Sequence, residues 1–142
     1  MRVHVHWEEA HDDHEGWSWN RALYAYLHPR MKEILYLGKA DGTTIRQRWK
    51  APDKEQFWRA LEEERRLFNH RVLVGAVVTD ARLTRQALAD IESMLIFAIE
   101  PWGNIASTRG RIYRPGLVVH NRGRAWPGPR WVRDTQEHVE FR

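Results

Sequence analysis

A chain of 142 residues, 42% of them hydrophobic and with a formal net charge of +4, suits one domain with a substantial core and calls for no second folding unit. The absence of cysteine removes disulfides, cysteine-ligated zinc and thiol catalysis together. No apolar run reaches the roughly 18 residues of a membrane span and the first residues lack the apolar centre of a secretory signal, so the expectation is a soluble, cytoplasmic protein with no membrane partner.

Val3, Val5 and Trp7 alternate with His4 and His6, the period of a half-buried strand that can join a sheet. The spacing His4-x-His6 and His11-x-x-His14 raises a metal site, but four histidines among carboxylates near a terminus read first as a mobile, solvated segment. Gly16 to Asn20 reads as a turn. Leu23-Tyr24-Ala25-Tyr26-Leu27 and Ile34-Leu35-Tyr36-Leu37-Gly38-Lys39-Ala40 are two strand-like runs that predict a hairpin, with Asp41-Gly42 ending the second. Tyr36 and Gly38 share a strand face. A phenol one step from a glycine, with Lys39, Arg46 and Arg48 soon after, suits the handling of phosphate, since the glycine admits close approach.

Pro52-Asp53 predicts a helix start with Asp53 as N-cap, followed by Phe57, Trp58, Leu61, Leu67 and Phe68 at partly helical spacing and a solvated face at residues 62–66. Residues 72–78, rich in valine, predict the middle strand of the sheet. A second helix is predicted over 83–99, with Ala87, Leu88, Ile91, Met94, Leu95, Ala98 and Ile99 as its apolar stripe and Pro101 beyond its end. Glu92 falls at the margin of that stripe, where a carboxylate held against the core calls for a cation or a metal ion, although periodicity alone favours a surface carboxylate. Pro101 to Asn104 reads as a tight turn, and beyond it the one strand candidate is 117–120.

These motifs, taken in order, resemble the GIY-YIG nuclease superfamily. The likeness is carried by Ala22-Leu23-Tyr24, Tyr36-Leu37-Gly38-Lys39-Ala40, Ile45-Arg46-Gln47-Arg48-Trp49, Glu92, and Pro101 with Asn104, and it spans about residues 22–104. The Tyr-Leu-Gly-Lys-Ala piece resembles the nuclease domain of bacterial excision-repair endonucleases. The resemblance implies a small α/β (α+β) core at about residues 20–106, built on a three-stranded, mainly antiparallel sheet flanked by helices, with N- and C-terminal extensions in one domain over 1–142. It also implies an endonuclease hydrolysing a DNA phosphodiester with one Mg²⁺ or Mn²⁺. In that reading Glu92 holds the metal, Arg48 stabilises charge on the phosphate, Tyr24 with Tyr36 handles the attacking water, Lys39 lowers the pKa of a phenol, and Asn104 steadies the site. Two departures stand out. Alanine and leucine replace the glycine and isoleucine of the first motif, leaving Tyr26 as a rival to Tyr24, and Pro52 stands where many members carry histidine or tyrosine. Arg46 rivals Arg48 in the same way.

Charge placement agrees with a nucleic-acid partner. The first 20 residues hold one basic side chain, Arg2, whereas the C-terminal extension at about 107–142 holds Arg109, Arg111, Arg114, Arg122 and Arg124 among other arginines, interleaved with Tyr113, Trp126 and Trp131. Guanidinium groups pair phosphates and indoles stack on bases. With Arg46 and Trp49, these arginines are the expected DNA-binding set. A homodimer would suit cutting both strands of a symmetric site. The alternative reading is a non-catalytic nucleic-acid-binding module on the same fold.

Overall fold

Val3, Val5 and Trp7 are all but completely buried, and the two-residue period they set folds as strand β1 (Arg2–Glu9). The computed structural model describes residues 1–107 and 114–134. In it β1 is an interior strand: it pairs antiparallel with β4 (Arg71–Thr79) and parallel with β5 (Val118–Arg122). The predicted hairpin forms from β2 (Arg21–Leu27) and β3 (Ile34–Asp41), and β2 pairs on its other side with β4. With β6 (Trp131–Arg133) the sheet has six strands in the order β3-β2-β4-β1-β5-β6. The expected three-stranded sheet is therefore half of a larger mixed one. Both extensions add strands to it, because β1 and β5 each supply an apolar row, Val3-Val5-Trp7 and Val119, to the same buried face.

Side chains of β2 divide between two cores. Leu23, Ala25 and Leu27 face helix α3 (Arg85–Ile99), which packs Leu88, Ile91, Met94 and Leu95 against them and against Leu37, Val5 and Trp7. Ala22, Tyr24 and Tyr26 face the other way, into a core made with Trp17, Ile45 and Val74. Residue-by-residue alternation thus gives β2 two buried faces, so its sequence is apolar or aromatic throughout. The stripe expected on α3 holds except at Ala98, which is exposed because the described chain does not cover that side of the last turn.

Helix α1 (Ile45–Trp49) is only five residues long, and Thr44 and Gln47 close its first turn by a reciprocal capping box. Asp53 is not the N-cap of α2 (Glu55–Arg65). It lies in a 3-10 turn, Pro52–Lys54, and its carboxylate turns back to Arg48 at 3.0 Å. The helix ends where Arg66 takes a left-handed conformation, so Leu67 is buried from the following loop and Phe68 is left exposed.

The N-terminal histidine segment is packed into the fold, contrary to the expected mobile stretch. His14 accepts from the Gly16 N–H through Nδ1 and pairs with Glu8 through Nε2, both at 2.8 Å, while Trp17 Nε1 donates to the His11 carbonyl. Among the described residues no three His, Asp or Glu side chains are placed to hold one ion, so the four histidines form no such centre. No helix of the described residues is long and apolar enough to cross a membrane.

Candidate active site

The site begins with the pairing of Tyr24 and Gly38 across the hairpin. A side chain at position 38 would put its Cβ 2.6 Å from Cζ and from the hydroxyl of Tyr24, so the absence of a side chain there lets the Tyr24 ring lie across β3. Tyr26 faces Tyr36 in the same ladder. The three rings form one group, with centroids 6.1 Å apart for Tyr24–Tyr36 and 5.4 Å for each of the other pairs. A Gly38→Ala variant is expected to displace the Tyr24 ring. Near-ultraviolet dichroism should report the altered packing, with far-ultraviolet dichroism unchanged.

Arg48 reaches this group from α1. Its guanidinium bonds Asp53 at 3.0 Å and acts on Tyr24, which acts in turn on Tyr36, so Asp53, Arg48, Tyr24 and Tyr36 form one electrostatically linked group. Burial opposes the Arg48 charge, but Asp53 and Tyr24 outweigh it and raise its pKa, so it is a permanent cation. The Tyr26 hydroxyl is buried without a hydrogen-bond partner, and its ring packs on Phe57, Trp58 and His70. The two rivals therefore differ in surroundings, Arg48 acting most directly on Tyr24 and Tyr26 packed among rings. Arg46 differs from Arg48 in position: it lies 4.6 Å over the Trp17 ring and donates to the Asp12 carbonyl, away from the phenols. Trp49 is half-buried and donates from Nε1 to His70 Nε2 at 3.1 Å.

Glu92 and Asn104 meet the free edge of β3. Asn104 is buried and bonds both backbone groups of Leu37, accepting from its N–H at 2.8 Å and donating to its carbonyl at 2.9 Å. Two residues on, the Glu92 carboxylate lies by Lys39, whose backbone and ammonium both favour its charge. An otherwise open strand edge is thus occupied by two side chains that also fix where the site stands. Burial raises the Glu92 pKa, and the Lys39 ammonium is the largest charge opposing that rise. Lys39 consequently acts on Glu92. The cation that acts on the phenols is Arg48.

Lys54 belongs to the site and was not anticipated. The 3-10 turn after Pro52 swings it inward until it is 2% exposed, with Nζ lying 5.0 Å from the Tyr36 ring centroid and 5.4 Å from that of Tyr24. Nζ has no hydrogen-bond partner. Burial, and then the neighbouring Arg48, lower its pKa to about 8. The phenols move the opposite way: burial first, then Tyr36 for Tyr24 and Glu92 for Tyr36, push both above their ordinary value.

The predicted DNA-binding arginines among the described residues do not form one surface. Arg109 and Arg111 lie outside the described residues. Arg114 is held to α3, its guanidinium 2.6 Å from Asp90 and its N–H 2.7 Å from Asp134. Arg122 and Arg124 are exposed at the β5 end of the sheet, with β4 and β1 between β5 and the tyrosine hairpin. Comparison with protein-family models, with curated proteins and with solved structures gives no match to this chain. The motifs and their spatial arrangement therefore carry the functional reading by themselves.

Proposed function

We propose that this protein is a metal-dependent DNA endonuclease of the GIY-YIG type, hydrolysing a phosphodiester at the Tyr24–Tyr36–Arg48–Glu92 cluster. The observation that carries it is the convergence of four separated motif residues, from β2, β3, α1 and α3, near the β3 edge of the hairpin, where Arg48 and Glu92 both act on Tyr24 and Tyr36. Glu92 suits a hard divalent ion: it is an oxygen donor, its burial disfavours the bare charge, and Mg²⁺ needs only one or two carboxylates when water and substrate phosphate complete its shell. Such an ion would polarise the scissile phosphate and stabilise the leaving oxygen.

The chain's own residues supply the rest. Arg48, fixed by Asp53 and permanently charged, pairs with a phosphate oxygen through its planar fork. Tyr36, half-buried at the edge strand, is the phenol that water can reach, and its ring stacks on that of Tyr24. Neither phenol is a good base at neutral pH, because burial holds the proton on both. Lys54, its amine buried beside both rings with a pKa of about 8, is the nearby group whose neutral form could take the water's proton; Nζ bonds neither phenol, so the transfer would pass through an intervening water.

The test is incubation of the purified protein with supercoiled plasmid and with a branched oligonucleotide, in Mg²⁺, Mn²⁺ or chelator. Cutting with either metal and none in chelator is the expected result. Salt-sensitive binding without cutting under any condition would favour the second reading, a binding module, for which the raised phenol pKa values and the departure at Pro52 are the supporting features.

A further inference from the structure

The chain from Arg48 to Lys54 has two sides. Arg48, Asp53 and Lys54 turn toward the phenols, whereas Trp49, Ala51 and Pro52 wall a cleft of about 480 Å³ that Trp58 and His70 complete, with exposed Lys50 and Glu55 beside it. The walls are flat rings. Trp58 and His70 lie 4.5 Å apart, and the hydrogen bond from Trp49 fixes the His70 ring through Nε2. Burial lowers the His70 pKa, which keeps that ring neutral and able to accept the bond. Trp58 also packs on Tyr26 at 4.9 Å, so the cleft adjoins the phenol cluster through one shared ring.

We propose that this cleft is a nucleobase slot, taking one unpaired base of a nucleic-acid substrate while that nucleotide's phosphate lies against Arg48. The inference rests on the hydrolase reading and names its substrate class. A cleft walled by indole, imidazole and proline rings, with few polar atoms, suits a base's π-face. The same seven-residue segment presents the partly exposed Arg48 guanidinium on its other side, where a phosphate would sit, while Lys50 and Glu55 place opposite charges beside the cleft. Base and phosphate of one nucleotide therefore find matching chemistry on the two sides of one short segment. A base held in a duplex cannot enter, so the favoured substrate carries an unpaired nucleotide beside the cut bond, as in a bulge, flap or junction. Stacking tolerates every base, and the slot consequently selects for unpairing and not for sequence.

The experiment uses the wild-type protein in chelator with two duplexes of one sequence, one holding 2-aminopurine opposite thymine and the other holding it extrahelically. The expected result is about tenfold tighter binding of the extrahelical duplex, the scale of one stacking contact, with its fluorescence quenched on binding. Ala51→Trp fills the cleft from its wall without removing a core side chain and is expected to abolish both the preference and the quenching. Equal affinities with unquenched emission in the wild type overturn the slot, as does a preference that survives Ala51→Trp in a variant with native dichroism. Absence of binding to either duplex also overturns it. Cutting of fully paired plasmid in Mg²⁺ is a separate readout, and it would sustain the hydrolase reading even where the slot fails.

Discussion

Replacing Glu92 by glutamine should abolish cleavage while leaving the protein at least as stable as the wild type at neutral pH. The carboxylate is held largely out of water beside two phenols, and burial raises its pKa above the usual range. A folded state that holds an acid's proton more tightly than the unfolded state is weakened when the acid ionises. The cost appears as pH rises through the unfolded value of about 4.3 and is complete above the folded value. Urea midpoints for Glu92→Gln and wild type should therefore coincide at acid pH and diverge in favour of glutamine at pH 7. On the proposed reading, loss of the oxygen that would hold the metal should meanwhile lower the cutting rate at least about 10³-fold, since the ion is asked for several kcal/mol of transition-state stabilisation. Salt-sensitive DNA binding should persist. A variant that cuts at the wild-type rate would remove Glu92 from the site, and one less stable than the wild type at pH 7 would mark it as a structural carboxylate.

That combination explains why Glu92 was legible early. A carboxylate at the margin of an apolar helical stripe conflicts with burial, and the conflict shows in the one-dimensional spacing between Leu88 and Ile99. The hairpin was legible for a similar reason, since both strands carry nearly unbroken apolar and aromatic runs. Gly38 stood out as the one position in β3 where a side chain was dispensed with, and the structure shows the Tyr24 ring lying across it. The rest of the sheet was harder to foresee. The strand expected at 117–120 forms as β5, but its parallel pairing with β1 and the three-residue β6 on its far side left no signal, since β6 is a strand because β5 offers it an edge. Partner strands of that kind leave little periodicity in a sequence. Lys54 was hidden altogether: nothing in the spacing after Pro52-Asp53 marks it, and only the 3-10 geometry after Pro52, with Asp53 drawn to Arg48, turns its side chain into the aromatic cluster. Burial of an amine is a tertiary outcome that composition and spacing do not record.

Lys54→Met should be the other large effect, in two measurements that move oppositely. The folded protein lowers the amine's pKa from 10.5 to about 8, so it binds that proton more weakly than the unfolded chain does. Above pH 10.5 the amine is neutral in both states and carries no penalty. As pH falls from 10.5 to 8 the unfolded chain gains the proton first, and below 8 the full cost, about 3 kcal/mol, is present. Methionine has similar length and no charge to desolvate. The variant should accordingly be more stable than the wild type by about 3 kcal/mol at pH 7, with the difference shrinking above pH 8. A difference that stays constant between pH 6 and 10 would show that the amine is not desolvated by folding. Cleavage should respond the other way, falling about 10² to 10⁴-fold, the range for removal of a proton acceptor. The wild-type rate should rise with pH to a plateau above about 8, where the amine is free, and Lys54→Met should lose that limb. A stabilised variant that cuts normally, with the wild-type pH profile, would assign Lys54 to packing alone and return the base to Tyr36. The prediction is demanding because the group is both a liability to the fold and, on this reading, the residue whose free base takes the water's proton near neutral pH.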